Sequence, residues 1–552
     1  MLKDNGFYFV PLGGSEQFGV NLNVYGCDGD LLAVDCGIGF ADERFPGIDL
    51  LLPDPAHLED AREKLSGMII THAHEDHIGA VAHLWDRLEC PLYATPFTAE
   101  ILRLKLNEQG FKHVKVHEIL PGQRIEIGTF HVEFAAVAHS IPDSVALRIE
   151  TKYGAVLHSG DWNLDPAPVV GPRTEADVFK DIGKRGILAY IGDSTNADRP
   201  GRSGSEKDVA GGLAAVMKGR KGRIAVTIFS SNIGRVLSIA RAAKACGRDV
   251  GVVGRSLHRM IGAGKALGYL DEVDFISEED MGYLPDDRVV LIMTGSQGEY
   301  RSALAKAARG EHPAVSLKRG DCVIFSSRPI PGNEKEIGEV KNNLSAGGID
   351  VVTANDTEEI IHVSGHPCQE EIADMFSWLK PPCVIPVHGE RTQLEAHARF
   401  SEKCQVAQSI IPHNGTVIKL APGKPEVVDN IETGLLAVDM RRIIPSDHSS
   451  IIERRKLQYT GTIHATLVLD AKGKIMAQPK VSTLGLIDQN DPVEKNFLEK
   501  LHQEIVDIID DMSKDELADD HFVSEEMRIG LRRFSVHFLG IKPLTTIHLI
   551  RV

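Results

Sequence analysis

The sequence predicts an α/β protein whose functional residues lie at one edge of its β-sheets. Apolar, strand-like runs repeatedly end in histidine or aspartate. Between residues 206 and 354, apolar strands alternate with helical stretches, as in a parallel sheet with crossover helices. The third observation is the histidine-rich run at residues 71–77, which directly follows the apolar residues 67–70.

This run places His72, His74, Asp76 and His77 within six positions. A single buried histidine with a hydrogen-bond partner is common. Three in one run compete for the same space and polar partners unless a positive charge lies between them. Neutral imidazole and carboxylate groups are favoured ligands of zinc and manganese. The run therefore predicts a metal hydrolase, whereas a chance cluster of surface histidines fits poorly with the buried strand before it.

Four further strand-like runs end in a side chain that can bind a metal. They end at Asp35, His139, Asp161 and His388. Each residue alone would be an ordinary turn aspartate or polar strand terminus. Together they repeat one arrangement, in which a rigid strand delivers a metal-binding side chain to the sheet edge.

Length and composition describe an ordinary globular protein of two to four domains. The chain has 552 residues, of which 42% are apolar and 25% charged. No apolar run approaches the roughly 20 residues that span a bilayer, and the start lacks the features of a signal peptide. The eight cysteines are scattered without a Cys-x-x-Cys pair, as expected for reduced thiols in a cytoplasmic protein.

The charge distribution is uneven. The net charge is −17, which argues against non-specific nucleic-acid binding by the chain as a whole. Residues 202–265 contain 13 Lys and Arg and 3 acidic residues, a local charge of 13 − 3 = +10. Charge alone leaves two interpretations open: a polyanion-binding surface, or helical faces whose counter-charges come from elsewhere.

The order of the metal-type residues resembles the metallo-β-lactamase fold, an αββα sandwich of two facing sheets with a dinuclear site at one edge. The resemblance implies that one ion is held by His72, His74 and His139, and the other by Asp76, His77 and His388, with Asp161 bridging. It implies two Zn²⁺ per subunit, with Mn²⁺ or Mg²⁺ as alternatives. Asp35 would orient the ligand histidines.

The interval between Asp161 and His388 resembles the insert of the β-CASP nucleases, in which a nucleic-acid-binding domain interrupts the sandwich. The matching segments end at Asp193, contain His366 before a helical stretch, and reach His388. RNA-processing members carry His at the last of these positions and DNA-repair members typically carry Val, so His388 favours RNA. The resemblance implies catalytic roles for Asp76, Asp193 and His366.

Many segments resemble the bacterial ribonuclease J family, including those at residues 11–14, 71–79, 139–144, 294–299 and 326–334. The resemblance implies a ribonuclease of RNA maturation and decay that degrades single-stranded RNA 5′→3′ from a 5′-monophosphate and also cuts internally. It further implies a homodimer or homotetramer formed through the C-terminal domain, and a structural divalent cation near Asp49. The chain departs from the family at Gly234, Pro367-Cys368 and Trp162-Asn163, which leaves substrate choice open.

Three loops have the composition of phosphate cradles. Two present hydroxyl, amide or arginine groups near a helix start or a strand end, and the third contains His366 at the start of a helix. As loops they also have purely structural interpretations, helix capping among them. The predicted substrate-binding residues are Ser231, Asn232, Ser326, Ser327, Arg328, His362, Val363, Ser364, Gly365 and His366.

The predicted organisation is a metallo-β-lactamase αββα sandwich with an inserted β-CASP α/β domain and a small C-terminal α+β domain. The sandwich comprises residues 1–205 and 355–425, the insert 206–354, a linker 426–452 and the last domain 453–552.

Three other functions compete with a ribonuclease. A β-CASP DNA nuclease is disfavoured by His388. A small-molecule hydrolase of the same core needs neither the long insert nor its basic segment. A catalytically inactive RNA-binding subunit is disfavoured because every predicted metal position is filled.

Overall fold

The computed structural model describes residues 5–488 and 490–552. Contacts between residues divide the chain into two units. The first contains the residues up to Gly39 together with Leu52–Leu435, and the second contains Phe40–Leu51 and Leu436–Val552. Within the described ranges, no helix is both long and apolar enough to cross a membrane.

Two large β-sheets face each other in the first unit. Their inner faces share one apolar core that includes Phe9, Tyr25, Phe134 and Ile191. The eight-stranded sheet has the order Glu426–Asn430, Thr416–Ala421, Phe7–Gly13, Leu22–Cys27, Asp30–Val34, Leu65–Ile70, Leu92–Ala94 and Val116–Glu118. The seven-stranded sheet has the order Arg124–Ile127, Phe130–Ala136, Val145–Thr151, Gly154–His158, Tyr190–Asp193, Cys383–Val387 and Gln408–Ser409.

Helices cover the outer faces of these sheets and complete the predicted αββα sandwich. Phe179 and Ile182 on one helix and Met375 on another pack with Tyr190 on the outside of the seven-stranded sheet. Apolar residues on both sides of the strands explain why these strands read as continuous apolar runs in the sequence. The helices of the sandwich are Ala56–Glu59, Glu75–Ile78, Val81–Leu88, Pro96–Glu108, Ala176–Arg185, Gln369–Leu379 and Arg391–Lys403.

The insert is a six-stranded sheet in which every described pairing is parallel, which confirms the predicted α/β insert. Its strand order is Phe275–Ile276, Asp249–Val253, Val289–Met293, Ile224–Thr227, Cys322–Phe325 and Asp350–Val352. Its helices are Glu206–Met217, Ile233–Ala245, Arg255–Ala266, Ala303–Ala308 and Glu334–Ala346.

Residues 426–452, which the sequence predicts as a linker, contain regular structure. Lys419 pairs with Glu426 across a turn at residues 422–425, so the proline- and glycine-rich stretch makes a hairpin. The resulting strand, Glu426–Asn430, lies at the edge of the eight-stranded sheet. Further along, Leu435–Asp439 pairs with Arg442–Pro445, and Ser449–Thr460 is a helix.

The C-terminal part of the second unit is the predicted α+β fold. Its apolar core includes Ile463, Phe497, Leu501 and Met527. The sheet has the order Ile475–Leu484, Thr462–Leu469 and Leu544–Arg551, and the helices are Pro492–Asp510, Lys514–Leu517 and Asp520–Leu539.

Candidate metal centre

The predicted metal-binding residues lie on loops, or in the short helix Glu75–Ile78, that follow strands of the two facing sheets. His72 to His77 follow Leu65–Ile70, His139 follows Phe130–Ala136, Asp161 follows Gly154–His158, and His388 follows Cys383–Val387. The backbone of His388 has a φ of 55°, a left-handed conformation that is strained for a residue with a side chain. Such strain is typical of positions whose geometry serves a site.

The ligand atoms form two groups that share Asp161. One group is His72, His74, His139 and Asp161, and the other is Asp76, His77, Asp161 and His388. Within each group all ligand atoms lie within 4.8 Å of one another.

The spacing within these groups fits a bound ion. His74 Nδ1 lies 3.1 Å from His72 Nε2 and 3.0 Å from His139 Nε2. Ligand atoms around a tetrahedral zinc, at bond lengths near 2.0–2.1 Å, are about 3.4 Å apart. The convergent nitrogens and carboxylates therefore match the donor set of zinc in both identity and spacing.

Asp161 Oδ2 occupies the centre of the arrangement. It lies 3.3 Å from His77 Nε2, 3.5 Å from His388 Nε2 and 3.6 Å from His72 Nε2. A single oxygen that reaches both groups can serve two ions at once. This is the geometry expected of a bridging carboxylate.

Asp35 holds the ring of His77 from behind. His77 Nδ1 donates to Asp35 Oδ2 at 2.7 Å, which leaves Nε2 facing the site. Asp35 also accepts from the backbone N–H of Thr71 at 2.7 Å and from its hydroxyl. One buried carboxylate therefore fixes both a ligand ring and the start of the ligand loop.

Asn21 has a similar role that the sequence analysis missed. His388 Nδ1 donates to Asn21 Oδ1 at 3.1 Å, and Asn21 Nδ2 donates to the carbonyl of Asp76 at 2.8 Å. Asn21 lies far from both residues in the sequence and in an unremarkable segment, so no local pattern points to it.

The electrostatics favour deprotonated side chains in the first ligand group and at Asp161. Burial, followed by neighbouring histidines, lowers the pKa of His72 and His74 well below the usual range. Burial and His366 lower the pKa of His139 to about 4. Burial alone would raise the pKa of Asp161, but His388 and His77 hold it well below its usual range. Neutral imidazoles at His72, His74 and His139 beside an ionised carboxylate are the form that binds a cation. At His77 burial opposes protonation, but Asp161, Asp76 and Asp35 raise the pKa well above its usual range, so this ring would release a proton when a metal binds.

His366 and Asp193 form a pair beside the two ligand groups. His366 Nδ1 donates to Asp193 Oδ2 at 2.8 Å, and the ring stacks on His388 with centroids 5.8 Å apart. Burial opposes protonation of His366, but Asp193 and then Asp161 raise its pKa to about 9. The side chain of His366 remains 22% exposed, so it is accessible from solvent.

The turn at Ser364–His366 is fixed by two asparagines. Ser364 Oγ accepts from Asn196 Nδ2 at 2.9 Å, and Asn163 Nδ2 donates to the Ser364 carbonyl at 3.3 Å. A Cβ at Gly365 would lie 2.9 Å from His139 Cε1, so the turn admits only glycine there. Asn163, one of the departures from the family, therefore supports this turn.

Four other predicted substrate-binding residues surround Arg235. Its guanidinium donates to the carbonyl of Ser326 at 2.8 Å and to its hydroxyl at 2.7 Å, and lies 3.1 Å from His362 Nδ1. Val363 supplies a carbonyl at 3.5 Å, and Asn232 accepts from the backbone N–H of Arg235. Arg235 is itself buried, so its hydrogen bonds hold these loops together on their interior side.

Ser231, Ser327 and Arg328 complete the predicted set, on the loops after Ile224–Thr227 and Cys322–Phe325. Partial burial and the nearby Arg199 guanidinium lower the pKa of Arg328. Among the described residues, no carboxylate forms an ion pair with Arg199 or Arg328. The two guanidiniums are free to meet an anion, and Arg199 is a residue that the sequence analysis did not select.

The basic segment at residues 202–265 is partly neutralised. Its ion pairs use counter-charges that lie mainly outside the segment, so its +10 overstates the local field. Six of its 13 basic residues pair with carboxylates: Arg202, Arg220, Arg223, Arg235, Arg241 and Arg259.

A structural cation was expected near Asp49, but the described residues contain no cluster of metal-binding side chains there. In residues 5–488 and 490–552, the groups of three or more metal-type side chains all lie around Asp161. The third such group combines Asp161, Asp193, His366 and His388. Asp49 belongs to none of them.

Four family models match successive parts of the chain. They are a beta-lactamase superfamily domain at residues 32–182, a ribonuclease J beta-CASP domain at 221–344, a Zn-dependent metallo-hydrolase RNA specificity domain at 350–404, and a ribonuclease J C-terminal domain at 449–552. The residues that could bind a metal, described above, lie within the first and third of these models, except for Asp193.

Relatives match the chain along nearly its whole length. Ribonuclease J of Sinorhizobium meliloti is 40% identical over 558 residues, covering 100% of this chain and 98% of that protein. The chain belongs to the ribonuclease J family. Ribonuclease J of Mycolicibacterium smegmatis is 35% identical over 533 residues, covering 96% of this chain and 94% of that protein. Family membership confirms the resemblance seen in the sequence.

A solved structure is similar at the level of the fold. A protein of unknown function from Enterococcus faecalis V583 matches with a TM-score of 0.53 and 17% identity, covering 75% of this chain and 100% of that chain. At this identity the likeness concerns the fold alone.

Proposed function

We propose that this chain is a zinc-dependent ribonuclease that hydrolyses single-stranded RNA 5′→3′ from a 5′-monophosphate and also cuts internally. It would act in the cytoplasm in RNA maturation and decay. The observation that carries the proposal is the position of Asp161 Oδ2, within 3.3–3.6 Å of ring nitrogens from both ligand groups. Membership of the ribonuclease J family supports RNA as the substrate.

The donor set supports two divalent ions. One would be held by His72, His74 and His139 and the other by Asp76, His77 and His388, with Asp161 shared. Zn²⁺, or Mn²⁺ or Mg²⁺ in its place, would supply Lewis acidity towards phosphate oxygens and lower the pKa of a nucleophilic water.

His366 is proposed to protonate the oxygen that leaves the phosphorus atom. Asp193 binds Nδ1, so Nε2 is the ring nitrogen available to the substrate. Asp193 orients the ring and stabilises its protonated form. Asp76, which is partly exposed, balances charge beside His77 and helps to orient the attacking water.

The 5′-phosphate is proposed to bind at the turn Ser364–His366. Gly365 brings the backbone close to His139, whose Nδ1 donates to the Gly365 carbonyl at 2.7 Å. Phosphates further along the RNA would meet Ser327 and Arg328, because Arg328 has no carboxylate partner among the described residues. Ser231, Asn232, Ser326, His362 and Val363 would shape the loops that carry these contacts.

We also propose a homodimer or homotetramer formed through residues 453–552. The second unit exposes large apolar side chains, among them Leu484, Ile550 and Val552. Light scattering can compare the whole chain with the double variant Leu484→Glu and Ile550→Glu. The wild type should have the mass of an oligomer, and the variant that of a single chain.

The decisive experiment compares 5′ ends. One single-stranded RNA, labelled at its 3′ end and bearing a 5′-monophosphate or a 5′-triphosphate, is incubated with enzyme and Zn²⁺ or Mn²⁺, beside the matching DNA. Mononucleotide release from the monophosphate RNA is expected, and none with His77→Ala. Equal internal cutting of both RNAs would make endonuclease activity the main one. Cleavage of DNA alone, or of neither polymer, would refute the proposal.

A further inference from the structure

One buried carboxylate connects three segments around the proposed active site. Glu371 is 1% exposed and lies in the first turn of the helix Gln369–Leu379. Its Oε1 accepts from the backbone N–H of Leu164 at 3.0 Å and from the Ser203 hydroxyl at 2.8 Å. Its Oε2 accepts from the backbone N–H of Ser203 at 2.9 Å and from that of Cys368 at 2.9 Å.

Each of these segments leads directly to a functional element. Leu164 is three residues after Asp161, the shared ligand, and Cys368 is two residues after His366. Ser203 lies just before the helix Glu206–Met217, where the chain enters the insert. Hydrogen bonds from Asn163 Nδ2 to the Ser364 carbonyl at 3.3 Å and from Ser205 Oγ to Asp165 Oδ1 at 2.6 Å also join parts of these segments, whereas Glu371 contacts all three.

The chemistry of the position requires a carboxylate. All four partners are donors, and an ionised carboxylate accepts at both oxygens without donating. The first turn of a helix also favours a negative charge. A glutamine would turn its N–H₂ towards donors: on the Oε2 side it would face two backbone N–H groups, and on the Oε1 side it would face that of Leu164.

We infer that Glu371 is a positioning residue of the hydrolytic site, which holds the His366 turn and the Asp161 loop in register with the insert. The inference rests on the proposed function for the role of His366. Glu371 does not touch the reacting atoms. It acts by fixing the backbone on both sides of them, and a misplacement of about 1 Å at such a site costs about 100-fold in rate.

The test compares Glu371→Gln and Glu371→Ala with wild type and with a matched control, Asp321→Asn. Asp321 is equally buried, also 1% exposed, and accepts from the backbone N–H groups of Arg223 and Lys318, both at 2.9 Å. It lies in the insert, at the start of the strand Cys322–Phe325, away from the metal-type residues. Two readouts are used: hydrogen exchange of peptides covering 161–168 and 362–369, and kcat and KM on 5′-monophosphate RNA.

In Glu371→Gln, we expect faster exchange in both peptides and a kcat lower by about 10- to 100-fold, with KM within threefold of wild type. Bound metal should remain near the wild-type content. Glu371→Ala should show larger changes in the same direction, and Asp321→Asn should leave both peptides and kcat unchanged. A merely structural role would lower the melting temperature of Glu371→Gln and Asp321→Asn alike and leave kcat intact at low temperature.

Unchanged exchange in both peptides of Glu371→Gln overturns the inference whatever the enzyme cleaves. Faster exchange with an unaltered kcat also overturns it, since the backbone would then have moved without consequence. If the wild type fails to cleave RNA, the proposed function fails, while the exchange data still decide whether Glu371 fixes the two loops.

Discussion

The αββα sandwich, called the core below, and the insert each carry candidate functional side chains on loops that follow strands. The side chains of the core are suited to binding cations, whereas those of the insert are suited to binding anions. The core edge presents imidazole nitrogens and carboxylates, centred on Asp161. The insert edge presents donors: the Asn232 and Ser327 loops and the unpaired guanidinium of Arg328. The same structural device therefore places side chains capable of holding cations on one sheet and hydrogen-bond donors on the other, and the proposed cleavage of a phosphodiester with its metal ions needs both.

This difference also explains how each edge is stabilised. Buried ligands in the core are ordered by further carboxylates and amides, as Asp35 orders His77. In the insert, the buried Arg235 pairs with Glu206 and holds the loop at Ser326 from beneath. Perturbing the core edge should therefore change metal binding and kcat, whereas perturbing the insert edge should change RNA affinity.

The largest effect is expected from Asp161→Asn. An amide in place of the shared carboxylate removes the charge that both groups of ligands surround, so metal content should fall for both ions. The kcat on 5′-monophosphate RNA should drop by about 1000-fold or more. Metal analysis and single-turnover cleavage measure these two quantities.

Asp321→Asn is again the matched control, as a buried carboxylate remote from the site. Retention of two ions by Asp161→Asn with near-normal cleavage would show that the core edge does not depend on a shared carboxylate, and the contrast between the edges would lose its basis.

Asp35→Asn should have the next largest effect. The substitution keeps the shape of the side chain but replaces one accepting oxygen by a donating amide group, which must face either His77 Nδ1–H or the Thr71 N–H, and it removes the negative charge beside His77. We expect metal affinity to fall by about 10- to 100-fold, with activity restored at high metal concentration. Titration of the metal-free protein with Zn²⁺, monitored by calorimetry, measures the change. Wild-type affinity would mean that Asp35 serves the fold alone.

The sequence was sufficient to select the side chains that converge around Asp161, because each follows a recognisable apolar strand or lies in one short motif. It was not sufficient for the residues that hold them. Asn21 bonds to His388 across 367 positions, and Ser203 bonds to Glu371 across 168. Such partners are brought together only by the complete fold, and neither Asn21 nor Ser203 stands in a distinctive local pattern.

Arg328→Gln should produce a smaller effect, confined to RNA binding. Removal of one unpaired cation should raise KM several-fold, leave kcat and metal content unchanged, and reduce the salt dependence of binding by about one charge. Arg202→Gln is the control, because Arg202 already pairs with Asp374 and Glu370. Equal effects of the two variants would contradict the distinction between paired and unpaired arginines.

Charge counting along the sequence could not make this distinction. Residues 202–265 form one basic segment in the sequence, whereas the fold brings Asp350, Asp286 and Glu108 against three of its arginines. The charge that remains belongs to individual side chains, both within that segment and outside it, as at Arg328. The parallel sheet of the insert, by contrast, was predictable, because its strands are short apolar runs between helical stretches.

The smallest effect concerns His397, a buried imidazole beside the core edge that is not a predicted ligand. Its Nδ1 lies 3.0 Å from Ser194 Oγ, and its ring stacks on Phe376. Burial lowers its pKa to about 4, so the folded protein binds this proton less well than the unfolded chain does. The resulting stability is complete above about pH 6.5 and is lost as the pH falls towards 4, by about 3 kcal/mol.

His397→Gln keeps a hydrogen-bonding group near Ser194 but cannot titrate. Between pH 7 and pH 4.5, its melting temperature should therefore fall less than that of the wild type, although the variant is less stable at pH 7 because it loses the stacking on Phe376. Calorimetric scans of both proteins at several pH values give the difference directly, and effects of the ligand histidines cancel because both proteins contain them. If the melting temperatures of the two proteins fall in parallel with pH, His397 is protonated in the folded protein at its ordinary pKa. The region around His397 would then be open to water, contrary to its burial.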